Sequence, residues 1–322
     1  MKRSTLLRLL AASAVVPLAF PAGAQSFPAR PVRIVVPQTP GGASDALARI
    51  IGQRLTEQWG QPVVIENRAG AGGNVGMEAV LAAPADGYTL LMTYVGTQAI
   101  NGALYKNLAF DPGRDFAPVA TLATVPFVMV AKAGSPLKTT QAVVEAARAG
   151  RVTYGSAGNG SVNHLLGEMF ARAAKVELAH VPYRGAAQAL QDLLGGQIDM
   201  VFTSLPSVAG QIRNGTLQPI AVTSPRLAPA FPDIPTVAQS GLPGFDVHPW
   251  FGLMGPKKMP RDIVEKINRD VNALLRQPQT AERFAAQGAE PYPTSPAEFA
   301  AVLAADVDKW SEVVRASGAK VD

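Results

Sequence analysis

Twice in this chain a short β-like run ends in a loop of glycine and hydroxyl residues, and that loop opens an amphipathic helix. The first instance joins Arg33–Val36 to Pro37-Gln38-Thr39-Pro40-Gly41-Gly42-Ala43-Ser44-Asp45, and the second joins Val152–Tyr154 to Gly155-Ser156-Ala157-Gly158-Asn159-Gly160-Ser161. Each loop offers backbone N–H groups at the positive end of a helix, and glycine lets an anion approach closely. Two such cradles in one chain suggest two jaws closing on one anion. Neither has the lysine of a P-loop or the spacing of a dinucleotide fingerprint, which disfavours nucleotides.

The N-terminus reads Met1-Lys2-Arg3, then Arg8, then an apolar run from Leu9 to Phe20 and the small residues Ala22-Gly23-Ala24. This is the pattern of a secretory signal peptide cleaved after Ala24, so residues 1–24 are set aside as a leader and the protein is expected in the periplasm. The apolar run is too short to span a bilayer, and no direct membrane insertion is expected. The leader carries three basic residues and no acidic one, so its removal takes the formal charge from +5 to +2. No Lys/Arg run suggests nucleic acid. There is no cysteine, which removes disulfides and a lipid-anchored cysteine alike.

Strand and helix signals alternate along the rest. Asp45 to Trp59 is predicted as a helix with Leu47, Ile50, Ile51, Leu55 and Trp59 on one face and Gly60 as its stop. Pro62–Glu66 and Tyr88–Thr93 are predicted strands, separated by the glycine-rich loop Asn67–Asn74 and a helix through Met77 and Val80. This order implies an α/β fold with a largely parallel sheet. A second α/β set follows: strands Phe127–Ala131, Val152–Tyr154, one ending at Val181, Ile198–Phe202 and Ile220–Thr223, with helices Thr139–Ala149, Val162–Ala174 and Ala186–Leu194. Trp250–Gly255 reads as a strand leaving that set. The tail is helical over Arg261–Leu275 and Gln279–Gln287, and Ser295-Pro296-Ala297-Glu298 is a capping box opening a last helix. Chain crossings near Pro126 and Trp250 place residues 25–126 plus 250–322 in domain one and 127–249 in domain two, with the two crossing strands as a hinge for closure.

Catalytic and metal signals are poor. The histidines are His164, His180 and His248, with no partner ligand at i+3 or i+4, so no metal and no cofactor is expected. Ser161 reads as an N-cap and His164 as a packed residue, since a base also needs an orienting partner. Asp45 lies in a first helical turn, where it meets the dipole and repels an anion unless turned away. Gly70, Gly72, Gly73 and Gly76 serve ligand approach or turn punctuation equally well. Arg184 fits a carboxylate clamp or an ordinary surface position.

The stretches Ile34–Asp45, Pro62–Gly76, Asp86–Leu91, Asn101–Tyr105, Tyr154–His164, His180–Gly185, Gly195–Phe202, Ala221–Thr223 and Asp233–Val237, in that order, resemble the Bug (TctC-like) receptors, the solute-binding proteins of tripartite tricarboxylate transporters. The resemblance covers essentially the whole mature chain. It implies a periplasmic binding protein type II-like fold of two α/β lobes, a monomer without catalysis, serving membrane permease subunits. It also implies a carboxylate-bearing ligand held between the lobes, partly by backbone N–H groups and ordered waters. The matching positions are Thr39, Gly41, Gly42, Ala43 and Ser44 in the first lobe and Ser156, Ala157, Gly158, Asn159, Gly160 and Ser161 in the second. Tyr94, Gly96, Thr97, Gln98, Tyr183, Arg184, Thr203 and Ser204 line the remaining cleft. Many relatives carry an aromatic residue where Gln38 stands and aspartate where Thr203 stands. Thr203 supplies no charge for a ligand ammonium, which tilts the expectation from amino acids towards uncharged-tail or di- and tricarboxylic acids.

The leading expectation is thus a small-carboxylate binding protein delivering to a transporter. A ligand-presenting sensor for periplasmic signalling uses the same closed lobes, and a periplasmic hydrolase built on Ser161 is the reading from another class.

Overall fold

A computed structural model of the chain describes residues 27–321; the leader predicted over residues 1–24 lies outside them. Apolar alternation and β-branched runs produce two sheets, and their order explains the two lobes. The first has six strands: β1 (Val32–Val36), β2 (Val63–Asn67), β3 (Thr89–Tyr94), β4 (Phe116–Thr124), β10 (Trp250–Pro256) and β11 (Glu290–Pro291), ordered β11-β4-β10-β3-β1-β2. The second has five: β5 (Phe127–Lys132), β6 (Thr153–Ser156), β7 (Ala179–Pro182), β8 (Met200–Ser204) and β9 (Leu217–Val222), ordered β7-β6-β8-β5-β9.

Neither sheet is largely parallel. β1 pairs in parallel with β2 and β3, but β10 runs against both β3 and β4. In the second sheet β6 is parallel to β7 and β8, whereas β5 opposes β8 and β9. The cause is the crossing: a strand returning from the other lobe enters from the opposite end. The crossings run side by side, with Val125 N–H donating to Pro249 O at 2.9 Å, and Pro126 O accepts from Leu205 N–H at 2.9 Å.

Helices cover the sheets: α1 (Ala43–Trp59), α2 (Asn74–Leu81) and α3 (Asn101–Leu104) in the first lobe, α4 (Thr140–Ala149), α5 (Val162–Ala174), α6 (Ala186–Gly195) and α7 (Leu205–Arg213) in the second, then α8 (Arg261–Leu275), α9 (Pro278–Ala286) and α10 (Pro296–Ser317). Apolar residues at helical spacing carry the packing; Leu47, Ile51 and Leu55 of α1 are fully buried against the first sheet. The long α10 packs on β4 and α3 and also on α5 of the second lobe. Trp250 anchors the return strand: its ring meets Phe299 of α10 edge-on at 4.9 Å, and Nε1–H donates to Asp306 at 2.7 Å.

Candidate functional site

β1 ends at Val36 and delivers the first cradle to the start of α1. The N-cap Gly42 has extended backbone and no side chain to cap the helix. The first intrahelical bond is Ala46 N–H to Gly42 O at 3.0 Å, so the N–H groups of the turn before it point away from any helical acceptor. Thr39, Gly41, Gly42 and Ala43 are exposed, while Ser44 is buried. Asp45 is turned back into its own loop. Its Oδ2 accepts Gly41 N–H at 3.0 Å and Arg49 Nε at 3.1 Å, and Oδ1 accepts Asn67 Nδ2 at 3.0 Å. Burial pushes this carboxyl's pKa up, but the hydrogen bonds from Arg49, Gly41 and Asn67 outweigh it and hold the group below the usual range. The charge that threatens an anion at this helix is therefore neutralised by a neighbour one turn on.

The glycine-rich loop packs beneath this cradle. A Cβ on Gly76 would fall within 3.0 Å of Pro37, so glycine there is required by close approach. Behind it, Tyr94 stacks on Phe251 at 5.8 Å; loss of solvation, with a smaller push from Tyr105, raises its hydroxyl to about 12. Gly96 packs against the Tyr94 ring. Thr97 and Gln98 are buried, and their side chains are occupied: Thr97 bonds Thr93 at 2.9 Å, and Gln98 accepts from Thr93 and donates to Pro112 O.

The second cradle is built differently, because most of its own N–H groups are already used. Gly158 N–H donates to Ser156 Oγ at 3.0 Å, Gly160 N–H to His164 Nδ1 at 3.1 Å, and Ser161 N–H to Gly158 O at 3.2 Å. Ser161 is the N-cap of α5: Oγ accepts His164 N–H at 3.3 Å and donates to Gly158 O at 2.7 Å. Its hydroxyl is therefore committed to the backbone, and the His164 ring faces Gly160, so no Ser161–His164 nucleophile pair is assembled. Ala157 and Asn159 complete the loop, with Asn159 exposed.

Beneath it lies a network that sequence reasoning missed. Ser156 Oγ is 2.6 Å from His180 Nε2, and the His180 and His164 rings stack at 3.9 Å. Tyr154 donates to Glu168 at 2.6 Å. Burial, reinforced by neighbouring His164, pulls His180 down to about 4. Burial also lowers His164, against the opposing pull of Glu168. Both rings are thus neutral near pH 7, which the hydrogen bond from Gly160 to His164 Nδ1 requires. Only the rings' convergence across β6, β7 and α5 signals the network, and spacing in the sequence gives no trace of it.

Tyr183 is half-buried and donates to Asp192 at 2.8 Å; burial and that carboxylate push its hydroxyl up to about 12. Arg184 is exposed and forms no ion pair among the described residues. Thr203 is 1 % exposed on β8, and Ser204 bonds Ser207 at 2.5 Å where α7 begins. The two cradles belong to facing lobes, and Gly160 packs on Leu104 of α3. Among the described residues no group of three or more potential ligands gathers for a metal.

Two α/β lobes joined by adjacent crossing strands, each presenting a strand–glycine loop–helix start, define a type II periplasmic solute-binding fold. Within that class the chain belongs to the family described as the tripartite tricarboxylate transporter family receptor, which matches residues 47–319, and so to the Bug (TctC-like) receptors. It is 36% identical to protein BugT of Bordetella pertussis over 94% of each chain. An R. palustris protein solved with adipate superposes with a TM-score of 0.82 at 34% identity, covering 92% of this chain and 100% of that one. MatC from Rhodopseudomonas palustris with bound malate gives a TM-score of 0.76 at 34% identity, covering 89% and 100%. The family is one of solute-binding receptors of the periplasm, and no helix among the described residues is long and apolar enough to cross a membrane.

Proposed function

We propose that this chain captures a small organic acid, as its carboxylate, in the cleft between the lobes and delivers it to the permease subunits of a tripartite tricarboxylate-type transporter. The observation that carries the reading is the uncapped start of α1. Gly42 provides no side-chain acceptor, its loop is exposed, and the neighbouring Asp45 carboxylate is turned away and paired. Backbone N–H groups at a helix N-terminus without a capping side chain favour an anionic partner. The neighbours solved with adipate and malate support the same ligand class.

In this reading residues 25–126 with 250–322 form the first lobe and 127–249 the second. The chain is exported by a leader cleaved after Ala24 and works as a monomer. The ligand is held by the stretch Thr39 to Ser44 in the first lobe, where Pro40 has no N–H and Gly41 N–H is taken by Asp45, and by Ser156 to Ser161 in the second, where Ala157 and Asn159 have the N–H groups not already bonded within the loop. Tyr94, Gly96, Tyr183, Arg184, Thr203 and Ser204 wall the cleft; Thr97 and Gln98 support that wall from behind. Thr203 offers no charge to a ligand ammonium.

Mass spectrometry of small molecules released from natively purified protein, followed by calorimetry, tests this. Carboxylic acids are expected to bind and their amides to fail. Tight binding of amides or of uncharged solutes, with no response to any acid, would sink it.

A further inference from the structure

Over residues 157–160 of the second cradle, free and bonded amides alternate. Gly158 N–H donates to Ser156 Oγ and Gly160 N–H to His164 Nδ1. Ala157 and Asn159, each just ahead of a bonded residue, have N–H groups that no described residue accepts. Both bonds lead to one feature, the His164–His180 stack at 3.9 Å. The route to His180 runs through Ser156, whose Oγ lies 2.6 Å from Nε2. Lone-pair occupancy fixes which atom donates there. Gly158 O, the other acceptor near the Ser156 hydroxyl at 3.1 Å, already receives Ser161 Oγ–H at 2.7 Å and Ser161 N–H at 3.2 Å. A carbonyl oxygen has two lone pairs, so the Ser156 proton goes to His180 Nε2. Burial keeps both rings neutral near pH 7, which leaves each imidazole one accepting nitrogen.

We propose that His180 and His164 are positioning residues for ligand binding: their lone pairs, rather than their rings alone, hold Gly158 and Gly160 so that Ala157 and Asn159 present their N–H groups to the ligand carboxylate. The inference rests on the carboxylate-capture reading. Peptide units are rigid planes joined at Cα, so fixing the amides of Gly158 and Gly160 limits the swing of the amides beside them. The two glycines give the loop its bend, at φ of +111° and +73°, but no stiffness of their own. Donors already ordered bind an anion without first losing that freedom, so the histidines act on affinity through preorganisation.

The test separates lone pair from ring. His180→Phe and His164→Phe keep a ring and remove the acceptor. His180→Gln and His164→Asn lose the ring and place an amide oxygen near the lost Nε2 or Nδ1. Calorimetry uses the acid that wild type binds most tightly among acetate, lactate, benzoate, succinate, malate, adipate and citrate. His180→Phe should weaken that acid about tenfold, and His180→Gln should bring affinity back to within about threefold of wild type. The His164 variants should rank the same way. Ser156→Ala should match His180→Phe, and the double variant should lose no more than either, because the two substitutions break one relay. This pair decides the matter if the His164 variants show no cooperative melting. The reverse ranking, or equal loss in the phenylalanine and amide variants, makes the histidines packing residues and overturns the proposal. So does unchanged affinity in both His180→Phe and Ser156→Ala. Each of these results leaves carboxylate capture standing. Failure of the whole panel with wild type overturns carboxylate capture and this proposal together.

Discussion

Leu104, at the end of α3 in the first lobe, lies against Gly160, in the loop that opens α5 in the second. Gly160 has φ of +73° and is buried, and a Cβ there would run into the Leu104 side chain. Gly160→Ala therefore meets backbone strain and a steric clash at once, and is expected to cost about 2 kcal/mol. Leu104→Ala alone opens a cavity and costs about 2–5 kcal/mol. The double variant should be less destabilised than the two costs summed, because the clash is gone. Chemical denaturation of the four proteins checks this; strict additivity would show that the two residues do not meet.

Gly42→Val isolates the first cradle. Gly42 has φ of −83°, and no heavy atom lies within 4 Å of a Cβ built there. The Cβ meets no clash, so the cost to the fold is only the loss of a favoured N-cap residue, but the isopropyl group covers the free N–H groups of α1. Affinity for the carboxylate should fall about tenfold to a hundredfold, the worth of one or two charge-assisted hydrogen bonds. The melting temperature should fall by no more than about 2 °C, the cost of a poorer N-cap residue. Unchanged affinity would remove this helix from the site. Gly158→Val is the less clean probe, because φ there is +111° and Tyr183 O would stand 3.2 Å from the added atom.

Acid should loosen the second lobe through His180. Its imidazole titrates at about 4 when folded, against 6.5 unperturbed. Between those values the unfolded chain holds more protons. Stability therefore falls as pH drops below about 6.5, and the loss is complete near 4. The ring is only partly buried, so the effect is discounted to about 1 kcal/mol. Glu290 and Asp306, both raised by burial, work in the opposite sense. The readout is therefore a difference: His180→Phe should melt with a shallower loss between pH 7 and pH 4.5 than wild type. Parallel pH profiles would show that the stacked pair carries no linkage.

The last helix offers a plain stability test. Ser295 Oγ accepts Glu298 N–H at 3.2 Å, and Glu298 accepts Ser295 N–H at 2.7 Å. Ser295→Ala should cost about 1 kcal/mol and lower the melting temperature by about 2 °C. A change within error would mean that this end of α10 frays in solution.

That capping box was legible in four residues because its chemistry is local. The same holds for the two loop-to-helix starts and for Leu47, Ile51 and Leu55 on one face of α1. β4 was not legible: Phe116–Thr124 contains Pro118 and three alanines, and what makes it a strand is pairing to β10, which lies more than a hundred residues away. α7 was hidden by Pro206, which sits in its first turn, where proline is tolerated. At the site, the pairing of Asp45 with Arg49 was open to an i,i+4 reading, whereas Asn67 and the His164–His180 stack meet their partners only through the sheets.

The place of β10 between β3 and β4 has a consequence for how the molecule comes together. Until Trp250–Pro256 is available, the first sheet is two fragments, β2-β1-β3 on one side and β4 on the other. The second sheet draws every strand from one continuous stretch, Phe127 to Val222, and its strand pairing waits for no late strand. A chain emerging N-terminus first can therefore finish its middle before its beginning. The slow event is the threading of one late strand into a waiting gap, a step with high contact order. During that wait the apolar edges of β3 and β4 lie open, and they are the surfaces a chaperone or an aggregate meets first.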